Sequence, residues 1–519
     1  MNPGATNHLN VVRKTAVLFN VLCGVTNGYD ISVAAVMLNN IASDFGFCGG
    51  GTIEDLQKAD CFEKQAVLSM VAAGQVCGKL FLSWVADRFG RRLALAVVDI
   101  LLLSGVALQC VASSNLVFFL GRFMSGLGLG FAFVVEPSYV CEIAPPSLRG
   151  TFIVLNEFAV CAGYLLGLHI TTAMKLRHVP WRTAVILCAC PPLLQLLVLP
   201  FLPESPRWLA IQGDSAGFKQ SASALGLTQN EIDVLNLQIQ HEVSRKAPEG
   251  SRGLWQSLDT HFKAWGTHSR AIFISMGFVS FTTASGIYGM QAYAPAVLRL
   301  CGVNEPAKWQ PLVGWMKLGG AFVAVVGSDA SCLGRRRLSV ACAIGCCLCQ
   351  LLIALHVSAA GTVSVMASSL AFFLFIFFWN AGYGGLQFVV TMELLPNEVR
   401  STWAGQIYAW CGILDVLIYQ FFLSLINASG TATFLVFGFI NLSSAMFAAC
   451  FLPELRGRSL EEASAQIAQR PSQPGPNSKQ RRYATLEEEA MDQLQDLRER
   501  PAAPSPHIVG SVDKEMANA

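Results

Sequence analysis

Charge is scarce in this sequence: 13% of its 519 residues are Asp, Glu, Lys or Arg, against roughly 25% in an ordinary soluble domain. With 53% apolar residues beside it, that scarcity excludes water as the main solvent. A surplus of one sign is lacking too. Lys and Arg total 36 against 34 acidic residues, a net charge of +2, and the basic residues are scattered through connecting segments, so no nucleic-acid partner is expected. Catalytic constellations are also missing. No nucleophile with a base, phosphate-binding loop or metal cluster stands on one face; residues 74–79 have the outline of a nucleotide loop but fall inside an apolar run. An enzyme is excluded on these grounds, and neither cofactor nor metal is expected. Most of the 17 cysteines, Cys342, Cys346, Cys347 and Cys349 among them, lie in apolar runs, where they pack as small hydrophobes. The first apolar run continues through Asn27, Gly28, Tyr29 and Asp30 without a small-residue cleavage site, which argues against a removable signal peptide.

Long apolar runs are what the chain has instead, for example 93–112, 184–202 and 340–355. A bilayer core of about 30 Å needs about 20 such residues per helix. Apolar length read against polar breaks predicts spans near 15–38, 66–86, 92–113, 115–140, 152–174, 182–202, 271–299, 310–330, 337–358, 362–390, 402–426 and 430–452. The expected fold is therefore an all-α integral membrane protein with twelve transmembrane helices. Its divisions are an N-terminus over 1–14, six helices over 15–202, a linker with short helices over 203–270, six helices over 271–452 and a largely disordered, proline-bearing tail over 453–519.

The excess of positive charge in loops orients the chain. Lys219, Arg245, Lys246, Arg252 and Lys263 place the linker in the cytoplasm, and Arg88, Arg91, Arg92, Arg149, Arg335, Arg336, Arg337 and Arg400 agree. Both termini are then cytoplasmic. Lys175, Arg177 and Arg182 dissent on the outer side. The outer loop 39–65 holds Cys48 and Cys61, either bonded or as two free thiols. Asn427, Ala428 and Ser429 form a glycosylation sequon in another outer loop.

Two short motifs repeat. Asp87, Gly90 and Arg91 stand between spans two and three; Asp329, Gly334, Arg335 and Arg336 stand between spans eight and nine, with the Asp set farther from the Gly. An Asp at a helix end can hold an Arg from a neighbouring helix, while Gly makes the tight turn. Pro203, Glu204, Ser205, Pro206 and Arg207 follow span six, and Pro453 and Glu454 follow span twelve. Glu142 with Arg149 follows span four, and Glu393 with Arg400 follows span ten. In order and spacing these motifs make the chain resemble the sugar porters of the major facilitator superfamily over about residues 15–462. The resemblance implies the major facilitator fold, two six-helix bundles working by alternating access. It also implies a gating network of ion pairs among Asp87, Arg91, Glu142, Arg149, Glu204, Arg207, Asp329, Arg335, Glu393, Arg400 and Glu454, holding the bundles closed toward the cytoplasm. Ser83, in place of the family's glycine, and Leu455 with Arg456, in place of Thr-Lys, depart from the pattern without removing those charges.

Asp30, Lys79, Asp99, Glu136, Glu157, Lys317 and Asp415 all fall within predicted spans. A charge at mid-bilayer costs about 2.5–3.5 kcal/mol on insertion scales, so each demands a partner or a wet cavity. Asp30 matches the position where proton-coupled sugar porters carry an Asp paired with an Arg at the start of span four, here Arg122. Burial favours the neutral acid and a nearby Arg the ionised one, so breaking the pair lets a proton bind. The family's sugar-binding amides are replaced: Glu157 stands for a Gln, Thr282, Thr283 and Tyr288 fall in the Gln-Gln-x-x-Gly-Ile-Asn run, Lys317 and Asp415 stand for Asn, and Phe388 for Trp. Gln387 and Trp410 complete the expected cavity, with Trp315, Tyr383, Trp403 and Tyr408 as further aromatic surface. Glu157, Lys317 and Asp415 either clamp a charged or zwitterionic solute or neutralise one another, Lys317 with Asp415. Gly382, Gly384 and Gly385 are expected to let span ten bend.

The expected function is proton-coupled symport of a sugar or polyol, with a carrier of a charged solute and a non-transporting sensor on the same fold as alternatives. The expected partners are the small solute, protons and membrane lipid. Plasma membrane is the default location, and monomer the default state.

Overall fold

The computed structural model describes residues 3–49, 60–143, 149–227, 232, 254–329, 334–359, 363–395 and 400–453, nearly all of them helical. Glu454, the tail beyond it and the basic linker residues Arg245, Lys246 and Arg252 lie outside the described residues. Nine stretches of the described residues are long and apolar enough to cross a bilayer. One of these, Trp403–Phe451, has 49 residues and would measure about 74 Å as a straight helix, more than twice the hydrocarbon core. It bends at Ser429 (φ −161°, ψ 95°) and counts as two. Two further long helices, Phe62–Phe81 and Pro306–Asp329, are less apolar because they bury Lys64 and Lys79, and Lys317. A buried Lys belongs to a helix that faces protein or a cavity. Nine stretches, one counted double, plus two make twelve.

In chain order they are α1 (Pro3–Asp44), α2 (Phe62–Phe81), α3 (Arg91–Val111), α4 (Asn115–Ile143), α5 (Arg149–Leu176) and α6 (Trp181–Phe201). Then come α7 (Leu254–Ala284, resuming as Ile287–Ala292 and Ala294–Leu300), α8 (Pro306–Asp329) and α9 (Gly334–Ser358). The last are α10 (Val365–Trp379, a π-turn over Asn380–Gly384, then Leu386–Leu394), α11 (400–428) and α12 (430–451). Helix α1 begins at residue 3, well before the predicted span start of 15, since a helix does not stop where hydrocarbon does and this segment has no internal proline to stop it. The run from Leu254 kinks at His268 (φ −118°, ψ 18°), so the membrane-crossing part of α7 starts close to the predicted 271.

Glycine sets how closely the first six helices pack. A Cβ on Gly28 would lie 2.0 Å from the Val160 carbonyl, and one on Gly163 would lie 2.4 Å from the Val25 carbonyl, so α1 and α5 touch backbone to backbone. The same holds between α2 and α4, where Gly74 and Gly78 face Phe123 and Leu127 while Gly126 and Gly130 face Val71 and Gln75. On each helix the glycines repeat at a spacing of four, the small-xxx-small pattern that draws helices together in lipid. In the second six helices several glycines meet rings, Gly277 with Phe447, Gly289 with Phe422 and Gly345 with Phe378, while a Cβ on Gly320 of α8 would lie 2.4 Å from the Phe377 carbonyl of α10. Between the sets, α2 packs along α11 and α5 along α8.

The two ends of the molecule differ. At one end Cys48 and Cys61 form a disulfide (S–S 2.06 Å). Arg182 there pairs with Asp44 at 2.8 Å and covers the Trp181 ring at 4.4 Å, which neutralises one of the basic residues that dissented from the charge rule. Exposed Asn427 sits at the α11–α12 bend on this end. The opposite end carries Arg91.

Candidate functional site

Asp30 of α1 and Arg122 of α4 meet in an ion pair with Nη1 to Oδ1 at 2.9 Å, and both are buried. Arg122 Nε donates to the Val67 carbonyl of α2 at 3.0 Å, which fixes the guanidinium. The second carboxylate oxygen of Asp30 has no hydrogen-bond partner. Backbone contact between α1 and α5 at Gly28, two residues earlier, brings Asp30 to this depth.

Helix α7, expected as one run, is interrupted at Ser285 and Gly286, the latter at φ +87°, a left-handed conformation suited to glycine. A break in hydrocarbon frees carbonyls that need donors. Gln350 of α9 donates to the Ser285 carbonyl at 2.9 Å, Asn441 of α12 reaches it at 3.5 Å and also donates to the Gln350 side-chain oxygen at 2.9 Å, and Trp379 of α10 donates to the Thr282 carbonyl at 3.1 Å. Thr282 spends its own hydroxyl on the Phe278 carbonyl at 2.8 Å. Tyr288, just past the break, lies against the Trp379 and Tyr419 rings. Helix α10 departs from α-geometry at the expected glycines, with a π-turn over Asn380–Gly384.

The intramembrane charges pair differently from expectation. Lys317 does not pair with Asp415. It donates to Gln291 Oε1 at 3.4 Å, lies over the Tyr164 ring at 5.1 Å, and is the cation acting on Glu157. Asp415 is instead attended by Lys79, whose ammonium donates to the Tyr408 carbonyl at 3.5 Å. The physical reason is the packing: α8 lies along α5 and α11 along α2, so Lys317 of α8 reaches the Tyr164 ring of α5 and Lys79 of α2 reaches the Tyr408 carbonyl of α11. Both contacts cross between the two sets of helices.

A cavity lies in the half of the molecule toward the Arg91 end. Asn20, Asn27, Glu136, Asn156, Glu157 and the stacked rings of Phe133 and Phe388 line it. Of the expected cavity residues, Glu157 and Phe388 are in this wall. Thr282, Thr283 and Tyr288 cluster at the α7 break, and Gln387 is buried in α10. Trp410 is 41% exposed and donates to Ser280 of α7 at 3.1 Å. Trp315 is likewise exposed, against His169.

The charged cluster at the Arg91 end forms within each half. Arg91 grips Glu142 with two nitrogens at 2.9 and 3.1 Å and Asp87 at 3.2 Å, while Glu204 accepts the backbone N–H of Arg91 and Arg92. In the second half Arg335 pairs with Glu393. Arg207 is exposed. The side chains of Arg149, Asp329 and Arg400, and all of Glu454, lie outside the described residues. Gln291, Gln350, Asn441 and Tyr164 were not singled out from sequence. The signal was present for Gln350 and Asn441, since an amide inside an apolar run must find a partner there.

Twelve helices in two sets of six, with buried lysines of each set reaching across to the other, define an integral membrane carrier and not an enzyme. The chain belongs to the Sugar (and other) transporter family, whose pattern it matches over residues 16–466. It is 27% identical over 475 residues to the probable plastidic glucose transporter 1 of Arabidopsis thaliana, covering 89% of this chain and 84% of that protein. It is 27% identical over 470 residues to myo-inositol transporter 1A of Cryptococcus neoformans, covering 86% and 79%. Among solved structures it is similar to the proton:xylose symporter XylE bound to 6-bromo-6-deoxy-D-glucose, with TM-score 0.72, 21% identity, and coverage of 88% of this chain and 99% of that one. The fold is that of the major facilitator superfamily.

Proposed function

We propose that this protein is a proton-coupled symporter of a sugar or polyol, with bundles over 15–202 and 271–452, acting in the plasma membrane with both termini and the Arg91 end in the cytoplasm. The observation that carries this is the buried Asp30–Arg122 pair at 2.9 Å, with one carboxylate oxygen still unpartnered. Separation of the pair during the rocking of the bundles turns Asp30 into a desolvated acid that takes a proton. Glucose, polyol and myo-inositol transporters among the relatives support a polyhydroxy cargo. Asn20, Asn27 and Asn156 offer amides that both donate to and accept from hydroxyls.

The test is uptake of labelled hexoses, polyols, amino acids and organic ions into proteoliposomes under an imposed proton gradient. The expected result is saturable, gradient-driven uptake of a sugar or polyol. Asp30→Asn abolishes accumulation against a gradient and keeps exchange of solute across the membrane. Accumulation by that variant equal to wild type would sink the proton role of Asp30.

A further inference from the structure

Two carboxyl groups stand deep in the first bundle without any use in the scheme above. Asp99 of α3 is fully buried, and Glu136 of α4 is 4% exposed. Asp99 lies nine residues along the chain from Gly90, and Glu136 lies six residues before Glu142. At the helical rise both therefore sit on the order of 9–13 Å inside the Arg91 end.

The surroundings of the two acids offer acceptor oxygens and few donors. Both oxygens of Asp99 and one of Glu136 have no hydrogen-bond partner. Gln195 of α6, fully buried, gives its amide N–H to Cys23 and the Phe19 carbonyl and leaves its own oxygen unpartnered. Asn27 of α1, also buried, has an unpartnered oxygen in the cavity wall. The donors in reach of Glu136 are the Cys23 thiol and the Asn156 amide. No Lys or Arg forms a salt bridge with either acid among the described residues; Lys79 of α2 lies over Phe133 at 4.9 Å, and Tyr139, a turn beyond Glu136, donates to the Pro203 carbonyl. Pro137 supplies no N–H either. Two carboxylates cannot both stay ionised in a low-dielectric interior without a cation. A protonated carboxyl is the donor this group of acceptors lacks.

We propose that Asp99 and Glu136 form a second proton-binding site, which takes the proton released from Asp30 and passes it to the cytoplasmic cavity. Asn27 lies one turn from Asp30 on α1 and lines the same cavity as Glu136. The proton leaves the Asp30 carboxyl, which re-pairs with Arg122; Glu136 accepts it, and cavity water receives it in turn. This relay rests on the symport proposed above, while the site itself does not.

The test is infrared spectroscopy of the purified full chain through a pH titration, read at the C=O stretch of protonated carboxyl groups, with uptake measured in parallel. Wild type and Asp30→Asn are expected to keep a protonated-carboxyl band near neutral pH that the double variant Asp99→Asn/Glu136→Gln loses. Monodisperse elution and an unchanged melting curve establish that the double variant is folded; should it fail to fold, each single variant is expected to shift the band. In vesicles, inhibition of wild-type uptake by internal acid is expected to weaken at least about fivefold with Glu136→Gln. A band that survives the double variant, or one that sodium ions erase at constant pH, overturns the site. Absence of proton-driven uptake in wild type overturns the relay and the symport while leaving the band as an independent reading of the site.

Discussion

At Glu204 one carboxylate receives three backbone N–H groups, those of Arg91, Ser205 and Arg92 at 2.8, 2.9 and 3.2 Å. Two of them belong to the first turn of α3, where N–H groups have no partner inside the helix and the helix dipole favours a negative charge. Gly90, at φ +95°, makes the approach possible, because a Cβ there would lie 2.7 Å from Glu204 Oε2. Glu204 therefore caps a helix. Glu204→Ala is expected to lower stability by about 1–2 kcal/mol, and Glu204→Gln, which keeps an accepting oxygen, by less; thermal unfolding in detergent reads both, and equal losses would refute the capping role. The identity of the clustered residues was legible in the sequence, since Gly90, Arg91 and Arg92 and the run from Pro203 to Arg207 are compact motifs. Their pairing was not. It depends on how the ends of α4 and α6 approach α3, which no local pattern encodes.

The elements themselves were largely legible, because hydrocarbon demands long apolar helices and a length near 20 residues marks each one. What escaped was the interior of α7 and the closeness of neighbours. The run Ala284, Ser285, Gly286 carries the break, yet hydrophobic length alone reads straight through it. The glycines at spacing four in α1, α2, α4 and α5 show a face for close contact, but not which helix meets it. The α7 break is held by a small amide network whose centre is Gln350, giving to Ser285 and accepting from Asn441. Gln350→Leu strips a donor from a buried carbonyl and a partner from a buried amide, so a loss of about 1–3 kcal/mol is expected. A melting shift confined to a few tenths of a kcal/mol would mean that the break holds itself. Transport by this variant is expected to fall more than its stability alone requires, since Trp379 and Tyr288 pack beside the same break.

Across the whole molecule the two sets of helices meet unequally at their ends. Toward the disulfide end α2 and α11 are joined by Gln65 donating to Ser424 at 2.9 Å and Ser69 donating to Gln420 at 2.7 Å. Toward the Arg91 end lies the cavity walled by Asn20, Asn27, Asn156 and Glu157. Alternating access requires that the polar seam part and re-form in each cycle, and each of its neutral hydrogen bonds is worth only about 0.5–1.5 kcal/mol net, which suits a contact that must open repeatedly. The charges behind it were visible in the sequence as Lys79, Glu157, Lys317 and Asp415, while their partners became clear only from which helices cross. If the seam opens, tying it shut stops transport. With exposed Cys190 and Cys450 replaced by Ser, the pair Ser69→Cys and Gln420→Cys is expected to lose at least about tenfold in uptake when joined by a short thiol crosslinker. A monofunctional reagent of similar size should cost far less, and cleaving the crosslink should restore flux. Uptake that continues at full rate with the seam crosslinked would mean that α2 and α11 never separate there, and the two bundles would need another place to open.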